Sequence, residues 1–122
     1  MTDLYRQHGF DRFVLALPGV TLVDQWESHV AKVGGKVFAL LGRHAGMPSI
    51  VVKCSEESFE ILTALDGIGQ APYFAKRAWV SISETAPLEP GDHEEYLRRS
   101  YALVAAGLTQ KLRKELGIPI TK

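Results

Sequence analysis

A chain of 122 residues, 46% of them hydrophobic, is long enough to bury roughly two thirds of its unfolded surface, so no disulfide framework is needed to hold it. Cys54 is the only cysteine, which excludes an intramolecular bridge, a thiolate metal cluster and a Cys-x-x-Cys redox pair, and fits a reducing compartment. Fourteen Lys and Arg balance fourteen Asp and Glu, so no whole-molecule field draws the chain to polyanions or anionic membranes; only a local basic patch can do so.

The first nine residues are polar and lack the apolar centre of a signal peptide, and no apolar run approaches the roughly 20 residues a membrane span requires. A cytoplasmic protein without membrane contact is expected. The first helix is expected over Phe10 to Leu17, where Phe10, Phe13, Val14 and Leu17 form one apolar stripe and Pro18-Gly19 ends it. Three strands follow, at Leu22 to Val33, with a kink near Glu27 to His29, then Lys36 to Gly42 and Ser49 to Cys54. Gly34-Gly35 supplies a tight hairpin turn and Ala45 to Pro48 the next one.

A second helix is expected over Glu56 to Leu65, with Ser55 as its N-cap and two glutamates complementing the dipole of its first turn. Short strands are expected near Ala71 to Phe74 and Trp79 to Ser83. The last helix has Asp92 and Glu95 as a capping-box variant, Leu97, Tyr101, Val104, Leu108 and Leu112 at helical spacing, and Gly117 and Pro119 as its stop. The expected fold is α+β, a two-layer α-β(3)-α-β(2)-α sandwich with helices packed on a mainly antiparallel sheet. The absence of a repeat or linker points to one domain over residues 1–122, with its core at about 10–116.

Several segments, in this order, carry a resemblance. They are Leu17-Pro18-Gly19, then Trp26 and His29 ahead of Lys32 to Ala39, then Pro48 and Val52-Lys53, then Ala71-Pro72-Tyr73, Lys76, Trp79-Val80 and Ser100-Tyr101. Together they make the chain similar to the MmcQ/YjbR family. The resemblance implies a secretion-chaperone-like two-layer fold and a DNA-binding role through projecting β-hairpin wings. One departure is Tyr73-Phe74-Ala75 ahead of Lys76, where many relatives are more polar.

Strand parity around Trp79 is informative in its own right. Val80 and Ile82 face one way, Trp79, Ser81 and Ser83 the other, and Ile50, Val52 and Cys54 alternate likewise with Val51 and Lys53. Lys53, Trp79 and Arg77 are thus expected to share an outward surface, where an indole stacks on a base and Lys36, Lys53, Lys76 and Arg77 neutralise phosphates. The competing account has Trp79 covered by Trp26, by the Glu84 to Gly91 loop or by a second subunit. Lys32 and Lys36 flank Gly34-Gly35, which is either a cationic wing or plain turn chemistry.

No catalytic set is visible. Cys54 has core parity and is expected to be an inert thiol, Ser100 has no base assigned to it, and Glu56-Glu57 and Glu94-Glu95 point in different directions along their helices. His29 and His44 lack metal-ligand spacing and are expected to be hydrogen-bonded or solvated; no metal or cofactor is expected. The functional expectation is a non-enzymatic DNA-binding or regulatory module. Its alternative is a protein-interaction or chaperone-like module that presents an open sheet face, with Trp79, Tyr73 and Phe74 as apolar anchors.

Overall fold

The structure is a computed structural model, and it describes residues 3–25, 28–44, 46–71 and 78–118. The elements run α1 (Gln7–Leu15), β1 (Val20–Gln25), β2 (Ser28–Val33), β3 (Lys36–His44), β4 (Met47–Lys53), α2 (Glu56–Thr63), β5 (Ile68–Gln70), β6 (Trp79–Ser83), α3 (Pro90–Ala106) and α4 (Gln110–Leu116). The strands form one antiparallel sheet in the order β1-β2-β3-β4-β6-β5. This is the expected α+β architecture, with two corrections to its count. The expected strand from Leu22 to Val33 is two strands of an antiparallel hairpin, with Gln25 opposite Ser28, so the first block has four strands. The expected final helix breaks at Gly107, and Thr109 starts α4 by accepting a hydrogen bond from the Leu112 N–H.

The helices lie on one face of the sheet: α1 against β1, α3 across β2, β3 and β4, and α2 beside β5 and β6. Phe10 and Val14 of α1, Phe59 and Leu62 of α2, and Leu97, Tyr101, Val104 and Leu108 of α3 and its end are buried with Ala31, Val33, Leu41, Ile50, Val52, Val80 and Ile82 in one core. Ser55 caps α2 as its sequence predicts, accepting from the Ser58 N–H at 3.1 Å. The Asp92–Glu95 capping box does not form. Glu89 is the N-cap, Pro90 occupies the first turn, and Asp92 is left to complement the dipole.

Gly34 and Gly35 both take positive φ, +58° and +81°, the geometry of a two-residue hairpin turn. Gly34 has a second constraint, because a Cβ there would sit 2.7 Å from Leu108 Cδ1. The hairpin tip therefore packs on the end of α3 instead of projecting as a wing. Gly117 ends α4 in the left-handed region, with the Ile118 N–H bonded to the Arg113 carbonyl at 2.9 Å.

β3 carries a bulge. Ala31 pairs with Ala39 and Lys32 with Val37, which leaves Phe38 as the extra residue, its side chain wholly buried toward the helices. Where β3 swings away, its ladder with β4 stops at Ala39 and Val52, and Ser100 of α3 fills the break. Its hydroxyl accepts from the Lys53 N–H at 2.8 Å and donates to the Phe38 carbonyl at 2.5 Å, with no exposure to solvent. The Tyr101 hydroxyl next to it donates to the Pro18 carbonyl at 2.5 Å, tying α3 to the turn between α1 and β1.

Candidate nucleic-acid interface

On the face away from the helices, Val30, Leu40, Val51 and Ala71 form a second, small buried cluster with Val37 and Trp79 packed against it. Ser49 and Ser81, which share that parity, are also buried. Among the described residues, the centre of this face is therefore closed to solvent. The apolar residues at its centre are already out of solvent, Val23 and Met47 stay exposed on separate strands, and a polar band lies at one end of the sheet.

That band is built by parity. Lys53 lies directly opposite Trp79 across β4 and β6, and both are half-buried. Lys32 lies between Ala31 and Val33, which are in the helix-side core, so it faces away from the helices, opposite Val37. The row Lys32, Val37, Lys53, Trp79 crosses four strands, and it is wider than three regular strand spacings because Ser100 bridges β3 and β4 where their ladder has stopped. Lys32 and Lys53 are half-buried, the state of lysines that lay their methylene stems on apolar neighbours and keep the ammonium in water. Among the described strand residues of this parity they are the only charged ones, and no carboxylate accompanies them. The acids sit elsewhere: Glu56, Glu57 and Glu60 on α2, and Asp92, Glu94 and Glu95 on α3. A chain of zero net charge thus carries, among its described strand residues, charge of only one sign on this face.

Of the residues expected at the site, Lys53 and Trp79 are brought together. Lys36 is not with them. It is exposed but pairs with Val33, whose side chain is in the helix-side core, so it belongs to the opposite side of the hairpin end. Lys76, Arg77, Tyr73 and Phe74, and Trp26 as a cover for Trp79, lie outside the described residues. Lys32 takes the place given to Lys36, and the signal for it was available: Val30, Lys32 and the turn at Gly34 follow the same alternation used for Trp79.

The nucleophile candidates have structural roles. Cys54 is buried, and burial pushes its thiol pKa up, away from the reactive thiolate; Ser100 is committed to the strand break. His29 is held between two carboxylates, with Nε2 2.5 Å from Asp11 Oδ1 and Nδ1 against Asp24 Oδ1. The carboxylates engage different ring nitrogens, and no group of three or more His, Cys, Asp or Glu fit to hold a metal occurs among the described residues. Tyr5 is buried, its hydroxyl 2.8 Å from His93 Nδ1. Burial, then the charge of Glu84, raises the Tyr5 pKa, while burial lowers that of His93 against the opposing charge of Asp92 and the Leu88 backbone. No helix among the described residues is long and apolar enough to cross a membrane.

These features define a two-layer α+β protein with helices on one face and a cationic band on the other. Comparison with known proteins shows the family: the YjbR family model matches residues 15–103, and the chain belongs to that family. Solved structures share its fold. Protein DR2400 of Deinococcus radiodurans, described as a DUF419 domain, superimposes with a TM-score of 0.83 at 24% identity, covering 98% of this chain and 94% of that one. A Pseudomonas syringae structural-genomics protein has a TM-score of 0.67 at 18% identity, covering 80% of this chain and 97% of that one. No curated protein matches the chain.

Proposed function

We propose that this YjbR-family protein is a non-enzymatic nucleic-acid-binding module of modest affinity and little sequence preference, a DNA-binding or regulatory function carried by the Lys32–Val37–Lys53–Trp79 band. The observation behind this reading is the sign of that face: two lysines and an indole in one row, with no acid among the described strand residues of that side, on a molecule whose charges cancel overall. Lysines on this face neutralise phosphates, and the indole at the end of the row, next to Lys53, stacks on a base. A flat sheet face that presents an aromatic ring suits bases that are not already stacked in a duplex. A protein client is the weaker reading, because the apolar residues at the centre of this face are buried and the exposed ones, Val23 and Met47, stand on separate strands.

Fluorescence anisotropy with labelled single-stranded and duplex oligonucleotides between 50 and 200 mM salt tests the proposal. Contacts from Lys32 and Lys53 alone give a log–log salt slope of about −1.4 on single strands and about −1.8 on duplex, and each further contact, as from Lys76 or Arg77, adds about −0.7 or −0.9. Lys53→Ala and Lys32→Ala should each flatten the slope by about 0.7 to 0.9. Trp79→Ala should weaken single-strand binding roughly 5- to 150-fold and leave the slope unchanged. Absent binding, or binding indifferent to salt and to Trp79, rejects the proposal.

A further inference from the structure

The opposite end of the sheet has a cleft of about 560 Å³, within the size range of small-molecule sites. It opens between the N-terminal segment at Tyr5 to Gln7 and the ends of β1, β2 and β3 with the start of β4. Pro48 in its wall is five residues along β4 from Lys53, so it lies about 17 Å from the cationic band. The cleft is a separate place with a different chemistry.

Its donors are under-used. The Arg6 guanidinium is 3.7 Å from Asp3 and 3.8 Å from Glu84, charge contacts too long to be hydrogen bonds. Arg43 lines the cleft and spends one N–H on the Gly46 carbonyl at 3.0 Å, which leaves other N–H groups of its fork for a ligand. Gln7 and Gln25 line the same space. The acceptor among them is Asp24, whose Oδ1 rests on His29 while the side chain stays 79% exposed. Leu41 and Pro48 give the cleft an apolar floor. Two guanidinium forks match a planar oxyanion bidentately, and an exposed carboxylate near them calls for a donor on the same ligand.

The geometry points to a binding site for a small organic acid that also carries an amino or hydroxyl group, such as a free α-amino acid or α-hydroxy acid. Its carboxylate is held by Arg6 and Arg43, its donor by Asp24, and its carbon skeleton lies on Leu41 and Pro48. Arg6 exchanges its loose contacts with Asp3 and Glu84 for the ligand.

Isothermal titration of the full chain with individual α-amino and α-hydroxy acids, and with inorganic phosphate as a plain anion, tests the site. At least one amino or hydroxy acid should bind, with affinity reduced at least about tenfold by Arg43→Ala and by Asp24→Asn. Both side chains are at the surface, and circular dichroism confirms folding of the variants. Arg43→Ala should leave oligonucleotide binding unchanged, which separates this site from the band. Three results overturn the proposal: no acid binding at 10-fold the usual metabolite range of about 1 mM, phosphate binding as well as any organic acid, or indifference of binding to Asp24→Asn.

Discussion

Removing the Ser100 hydroxyl should be among the costliest one-atom changes in the molecule. The oxygen is wholly buried and serves two backbone groups, the Lys53 N–H at 2.8 Å and the Phe38 carbonyl at 2.5 Å. In Ser100→Ala neither group has water to turn to, and a buried donor or acceptor left without a partner costs about 1 to 3 kcal/mol. Some of this is recoverable if β3 and β4 move together and bond directly, but the bulge at Phe38 and its buried ring resist that movement. The expected loss is about 2 to 4 kcal/mol. A chain of this length has an unfolding entropy of about 0.26 kcal/mol per kelvin, so the melting temperature should fall by about 8 to 16 °C. Urea unfolding followed by circular dichroism measures the free energy directly. A loss below about 0.5 kcal/mol would refute the argument, since it would mean that the ladder closes without the hydroxyl.

Three further outcomes follow from local chemistry. Gly34→Ala should destabilise by about 1 to 3 kcal/mol, from its left-handed backbone and the contact with Leu108, whereas Gly35→Ala, with open space around it, should cost only about 1 kcal/mol; equal melting temperatures for the two would refute the packing of the hairpin on α3. His93 has a pKa below the usual histidine value because it is buried. As pH falls the unfolded chain takes up this proton first, so the contribution is complete above about pH 6.5 and is lost as pH drops toward the folded value. Wild type should therefore lose more stability than His93→Gln between about pH 7 and 5 in parallel denaturation series. Cys54, buried and with its pKa raised, should react with a thiol reagent at pH 8 only as fast as the chain opens, and prompt labelling of native protein would show the thiol to be accessible.

Much of this was legible from local pattern. Strand alternation placed Val80 and Ile82 in the core and sent Lys53 and Trp79 to the other side together. Ser55 as a cap, Gly34-Gly35 as a turn and Gly117 as a stop are chemistries that a few neighbouring residues decide. The capping box at Asp92 failed because Pro90, two residues earlier, favours an earlier start to the helix. The run from Leu22 to Val33 read as one kinked strand because Gln25 to Ser28 lacks the glycine or asparagine of a tight turn.

What the chain's order alone determined is a helix-and-strand alternation, an apolar side for each element, and membership of a family whose motifs are spread over most of its length. Only the folded sheet decided which cations meet. The bulge at Phe38 sets the register that places Val37 beside Lys32 on the outer face. The same register leaves Lys36 on the other side and requires Ser100 to mend the ladder. The closure of the central outer face and the gathering of Arg6, Asp24 and Arg43 around one cleft depend on residues far apart in sequence. Pairing free energy and packing bring them together, and no local propensity encodes that.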